Sequence, residues 1–127
     1  MDDEALKKKL EEIKIEDYIW IIYIGIVFFS WYANSLERDF FINKNEKSKD
    51  KYRNVMIVIF SVLVIIYFYF FKDSWDSFKN IYKIKNKKTK DLITLSFIAS
   101  LLILISGIIF LYVAFKDENL DVELAFN

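Results

Sequence analysis

The chain has 127 residues, with 18 Lys+Arg against 18 Asp+Glu, 55% hydrophobic and 28% charged residues, and no His, Cys or Pro. The length allows one compact unit, and the even charge gives no global field for an acidic partner. Without Cys there is no disulfide, thiolate nucleophile or iron–sulfur site, and without His the commonest metal ligand and the usual general base are missing.

Heavy use of Ile, Lys, Asn, Phe and Tyr, with Arg38 and Arg53 as the only arginines, is the coding signature of an AT-rich genome. Charges sit in blocks and apolar residues in runs. Residues 1–17, "MDDEALKKKLEEIKIED", predict an amphipathic helix. Asp2, Asp3 and Glu4 suit its positive end, and Leu6, Leu10 and Ile13 form a thin apolar face.

Residues 18–34 are charge-free and predict a first membrane span. A secretory signal is the weaker reading, because the residues ahead of this run include seven acidic groups where a signal peptide needs net positive charge. Tyr18 and Trp20 at one end, and Trp31 and Tyr32 at the other, are expected to anchor the helix at headgroup depth. Gly25 and Ala33 are candidate helix-packing positions, and Tyr23, Ser30 and Asn34 make a thin polar face.

Residues 35–53 read as a basic polar loop. Its Leu36 and Phe40 follow Tyr32 of the first span at four-residue steps, so the first helix is expected to overshoot the bilayer. Ser48 is expected to cap an early start of the second helix.

Residues 54–71 predict the second span, with Tyr69 at its exit as a further anchor. From Val55 to Phe71 there is no charge, proline or glycine. A helix apolar on every side needs apolar surroundings on every side, and so short a chain cannot supply them for three such helices. An open sheet cannot sit in lipid, so strands are excluded there. Each Val, Ile, Leu or Phe near a helix centre favours insertion by about −0.3 to −0.6 kcal/mol.

Residues 72–91 read as an amphipathic, Lys-rich loop. Phe71, Trp75, Phe78 and Tyr82 follow at steps of four, three and four, which predicts a short helix along the membrane surface anchored by Trp75. The stretch "YKIKNKKTKD" is expected to attract anionic lipid headgroups, at about 1 kcal/mol per Lys. Nucleic acid is not an expected partner, since stacking platforms and an arginine-rich groove are missing. Thr89 is the expected cap of the third span.

Residues 92–115 predict that span. A bilayer core about 30 Å thick needs roughly 20 helical residues, so this run has length to spare while the first two only just suffice. Ser96, Ala99, Ser100 and Gly107 fall on one face, and small residues let helix backbones approach closely where lipid gives no hydrophobic push. They would pack the helices of one chain, join copies into a homo-oligomer, or join a larger membrane complex. Residues 116–127 form an acidic tail in which "LDVELAF" alternates apolar and acidic residues. That pattern suits either a peptide that adds to a partner's sheet edge or an unstructured end.

With three spans, eleven basic residues fall on the side of the N-terminus and seven on the other. The excess predicts the N-terminus inside and the C-terminus outside, in a bacterial cytoplasmic membrane. The expected fold is all-α: an integral membrane protein with three transmembrane helices and short amphipathic juxtamembrane helices. No Asp, Glu, Lys or Arg lies within the spans, and there are no interrupted half-helices and no nucleophile–base set. The expectation is therefore a non-enzymatic protein without cofactor or metal, structural or accessory, acting through helix packing. The alternative is a small homo-oligomeric channel or holin-like permeabiliser.

Overall fold

The computed structural model describes residues 2–124 and is all-α. The elements are α1 (Asp3–Asn43), α2 (Glu46–Lys79), a 3-10 turn at Ile81–Lys83, and α3 (Lys87–Lys116). All three long helices are long and apolar enough to cross a membrane. At about 1.5 Å per residue, the 41 residues of α1 reach about 60 Å, so each helix also runs well past an apolar slab.

The helices are continuous where the sequence suggested separate pieces. The N-terminal amphipathic segment is the first part of α1, not a short juxtamembrane helix, because no breaker separates Asp17 from Tyr18. Asp2 caps it, accepting from the Ala5 N–H at 2.7 Å. The stretch 35–53 is also helical almost throughout. Only Lys44 and Asn45 interrupt it, with Lys44 in the left-handed conformation (φ 53°) that closes α1.

Neither expected cap is used. Asn45, not Ser48, caps α2, through the Lys47 and Ser48 N–H groups. Asn86, not Thr89, caps α3, by accepting from the Thr89 N–H. In both cases a carboxamide three residues upstream reaches the free N–H groups first, and asparagine is among the best residues for that position.

The segment expected to lie along the membrane surface instead continues α2 to Lys79 and packs on α3. Phe71, Trp75 and Phe78 surround the Phe97 ring, with Phe78 stacked on it at 4.6 Å. Helical spacing was the correct reading. The apolar stripe packs on protein through Phe71 and Phe78, while Trp75 keeps an exposed edge.

α2 is the central helix, and α1 and α3 each pack on it with little contact between themselves. Met56, Phe60 and Leu63 are fully buried there, and Ile26, Ala33, Leu36, Tyr52, Ile59, Ala114 and Leu124 belong to the same core. The outside is apolar. Phe28, Ile65 and Ile109 are 64, 70 and 56% exposed, and only 22, 28 and 17% of the apolar windows of α1, α2 and α3 is buried. Soluble monomers rarely turn so much apolar surface to water, whereas lipid tails are a matching solvent for it.

Candidate functional site: helix contacts and the membrane face

Three long apolar helices around a thin core define the class: a small three-helix protein with candidate membrane spans. No protein-family model matches the chain, and no curated protein and no solved structure matches it. What the chain can do therefore has to be read from its own contacts.

The six small residues proposed for packing divide sharply. Gly107 sits at the α2–α3 contact, where an added Cβ would lie 2.9 Å from Cδ2 and 3.2 Å from Cε2 of Tyr67. Ser100 meets Ser74 of α2 at 2.8 Å between hydroxyl oxygens. Ser100 also donates to the Ser96 carbonyl (2.9 Å), and a hydroxyl has one proton, so Ser74 is the donor in the pair. Ala33 is fully buried in the core.

The other three lie outside close contacts. Ser96 and Ala99 are exposed on α3. An added Cβ on Gly25 meets nothing within 4 Å, and this glycine lines an open apolar groove of about 420 Å³ with Phe29, Val58 and Val62. A small residue at helical spacing is necessary for close approach but does not create it.

The aromatic residues named as anchors lie on the outside of the bundle. Tyr18, Trp20, Trp31, Tyr32 and Trp75 are all exposed, and Tyr69 is half-covered beside Phe70. Trp20 and Trp31 end a second opening, a cleft of about 570 Å³ along the α1–α2 contact, with Leu63 and Tyr67 of α2 on its other side. The polar face of α1 opens into this cleft through Tyr23, Ser30 and Asn34.

Two polar devices were not foreseen from sequence. Asp39, near the end of α1, accepts hydrogen bonds from Asn43 (2.7 Å), Asn45 (2.8 Å) and the Ser48 hydroxyl. These bonds, the Ser48 contact foremost, hold its carboxyl below the usual carboxylate range. The "RDFFINKNEKS" run carried the signal, since Asp, Asn, Asn and Ser within ten residues can close a helical hairpin. Arg53 is the second: its Nη2 donates to the Phe115 carbonyl at 2.9 Å and places a cation at the negative end of α3.

The tail neither hangs free nor extends within its described part. Asp117 accepts from the Asp121 and Val122 N–H groups at 3.0 and 2.8 Å, which turns the chain back. Leu120 then packs on the core and Leu124 is buried against it. The alternation that suggested a sheet-edge peptide instead places Leu120, Val122 and Leu124 along the pocket beside Tyr52 and Met56; Phe126 lies outside the described residues. On the opposite side, Lys79, Lys83, Lys85, Lys87 and Lys88 remain exposed around the α2–α3 turn. Among the described residues no three acidic groups are arranged to hold a metal ion.

Proposed function

We propose that this is a multi-pass membrane protein of structural or accessory role, non-enzymatic, which acts through helix packing and through the ends of its helices. The observation that carries the reading is the apolar exterior of all three helices, which is far larger than the core they share. The N-terminus and the lysine-rich α2–α3 turn lie inside, where exposed lysines engage anionic headgroups. The α1–α2 hairpin and the tail lie outside. Tyr18, Trp20, Trp31, Tyr32, Tyr69 and Trp75 set the depth of the bundle as interface anchors.

Single cysteines test this directly, because the chain has none of its own. With Lys47→Cys, Glu118→Cys and Lys87→Cys, an impermeant thiol reagent on intact cells labels the first two and spares the third. Labelling of Lys47→Cys but not Glu118→Cys refutes the three-span arrangement. Co-purification in mild detergent then identifies what an accessory protein of this kind assembles with.

A second reading, an oligomeric channel or permeabiliser, draws on the polar face of α1 that lines the cleft beside α2. It predicts that induced expression collapses the membrane potential. An unchanged potential and unchanged viability count against it.

A further inference from the structure

We infer that the pocket between the inner ends of α2 and α3 binds the headgroup of an amine-bearing phospholipid, its ammonium on Asp73 and its phosphate among the hydroxyls and lysines of α3; the inference rests on the membrane reading above. The pocket holds about 240 Å³ and is walled by Asp73, Ser74 and Ser77 of α2 and by Thr89 and Ser96 of α3. Sites for drug-sized ligands run to about 300–1,000 Å³, so this space suits a headgroup and not a whole lipid.

Depth points to that ligand. Asp73 lies two residues beyond Phe71, where the uncharged run of α2 ends, and Thr89 lies three residues ahead of Leu92, where that of α3 begins. The pocket therefore straddles the level at which acyl chains give way to headgroups. Leu92 and Ile93 complete its α3 wall and give the first carbons of the chains an apolar side.

The polar groups sort by charge. Ser74 is engaged with Ser100, but the hydroxyls of Ser77, Thr89 and Ser96 bond nothing among the described residues. Each can donate to phosphate and ester oxygens. Lys88 precedes Leu92 by four residues and Lys90 precedes Ile93 by three, so both stand on the α3 side of the mouth.

On the α2 side, Asp73 makes no ion pair among the described residues. Burial first, and then the charges of Glu12 and Asp76, push its carboxyl up, and Lys9 and Lys8 of α1 offset this only in part. An ammonium donating to the carboxylate relieves both causes. A headgroup with negative charge alone leaves Asp73 unmatched. A trimethylammonium has no N–H to donate and is held by aromatic cages, whereas no ring lines this pocket among the described residues.

The test is lipid titration of the purified protein in mild detergent, read by native mass spectrometry. Phosphatidylethanolamine is expected to bind about tenfold more tightly than phosphatidylcholine or phosphatidylglycerol with the same chains. Asp73→Asn is expected to erase that preference. Thr89→Val with Ser96→Ala, on the other wall, is expected to weaken phosphatidylethanolamine about tenfold, and Ile109→Ala, on the outside of α3, to leave it unchanged.

A preference that survives Asp73→Asn overturns the inference. So does tighter binding of phosphatidylglycerol, which would mean that the lysines of the turn alone select the lipid. Soluble phosphoethanolamine competing as strongly as the lipid also overturns it, by making the ligand a free headgroup. A wild-type chain that stays in carbonate-washed membranes yet prefers none of the three lipids sinks the site and leaves the membrane reading intact. A chain released by carbonate removes both.

Discussion

Asp39 and Asp73 show how single carboxylates at the slab edges act in opposite directions. Asp39 is held below its ordinary value of 3.8 by donors from Ser48, Asn43 and Asn45. Unfolded chains therefore bind its proton more readily, so its contribution is complete above the ordinary value and is lost as pH falls through the lower folded one. Asp73 is pushed up, by burial first and then by Glu12 across the α1–α2 contact. Its ionised form opposes folding, and that opposition fades as pH falls through the raised value. Asp73 keeps solvent access, which limits the size of its effect. Thermal melts in detergent between pH 3 and 7 are expected to show Asp39→Asn losing the decline in Tm below about pH 4. Asp73→Asn should lose the rise that precedes it. If both variants follow the wild-type profile, the hairpin latch and the Asp73 environment are wrongly described.

Helix pairs decide which small residues matter, and the two glycines separate packing from propensity. At Gly107 a methyl group meets the edge of the Tyr67 ring at 2.9 Å and lies 3.4 Å from Val64 Cγ2, so the ring or the helix must shift to admit it. Gly107→Ala is expected to lower stability by about 1–3 kcal/mol, the usual cost of overpacking. Gly25→Ala meets open space and gains helix propensity, so its effect should be neutral or favourable by up to about 1 kcal/mol. Unfolding in mixed micelles measures both, and equal losses would refute the assignment of close contact to Gly107 alone. The periodicity of Ser96, Ser100 and Gly107 was legible in the sequence, because a helical face can be counted from spacing. What spacing cannot supply is the azimuth at which the neighbour approaches. For that reason Ala99 and Ser96 face outward while Ser100 finds Ser74.

For the whole molecule, the sequence told most where chemistry is monotonous. Three uncharged runs, no proline and two glycines leave helix as the only backbone that satisfies itself in lipid, and three apolar helices are what formed. The connections were less legible. Residues 35–53 and 72–91 look polar and loop-like because they are charged, yet charge alone does not break a helix, and only Lys44–Asn45 and the turn after Lys79 interrupt it. The Phe71–Trp75–Phe78 stripe was read as helical but assigned to lipid, since one sequence cannot show that Phe97 would return to meet it. The polar face of α1 was visible as well, while the cleft it lines depends on how α1 seats against Leu63 and Tyr67 of α2.

The pairing of α2 with α3 has one more effect. Ser100 is level with Ser74, so the first two turns of the third apolar run stand beyond Phe71, where the uncharged run of α2 ends. Eight residues at about 1.5 Å each make that overhang about 12 Å. In the bilayer arrangement proposed above, lipid around the molecule meets a short hydrophobic wall on one flank and a tall one on the other. Annular lipids must compress along α1 and stretch along α3, or the bundle must lean. A protein of uneven height is expected to be most heat-stable in mixtures of short and long acyl chains and less so in either alone. A uniform preference for one chain length would show that the unequal heights are levelled by tilt.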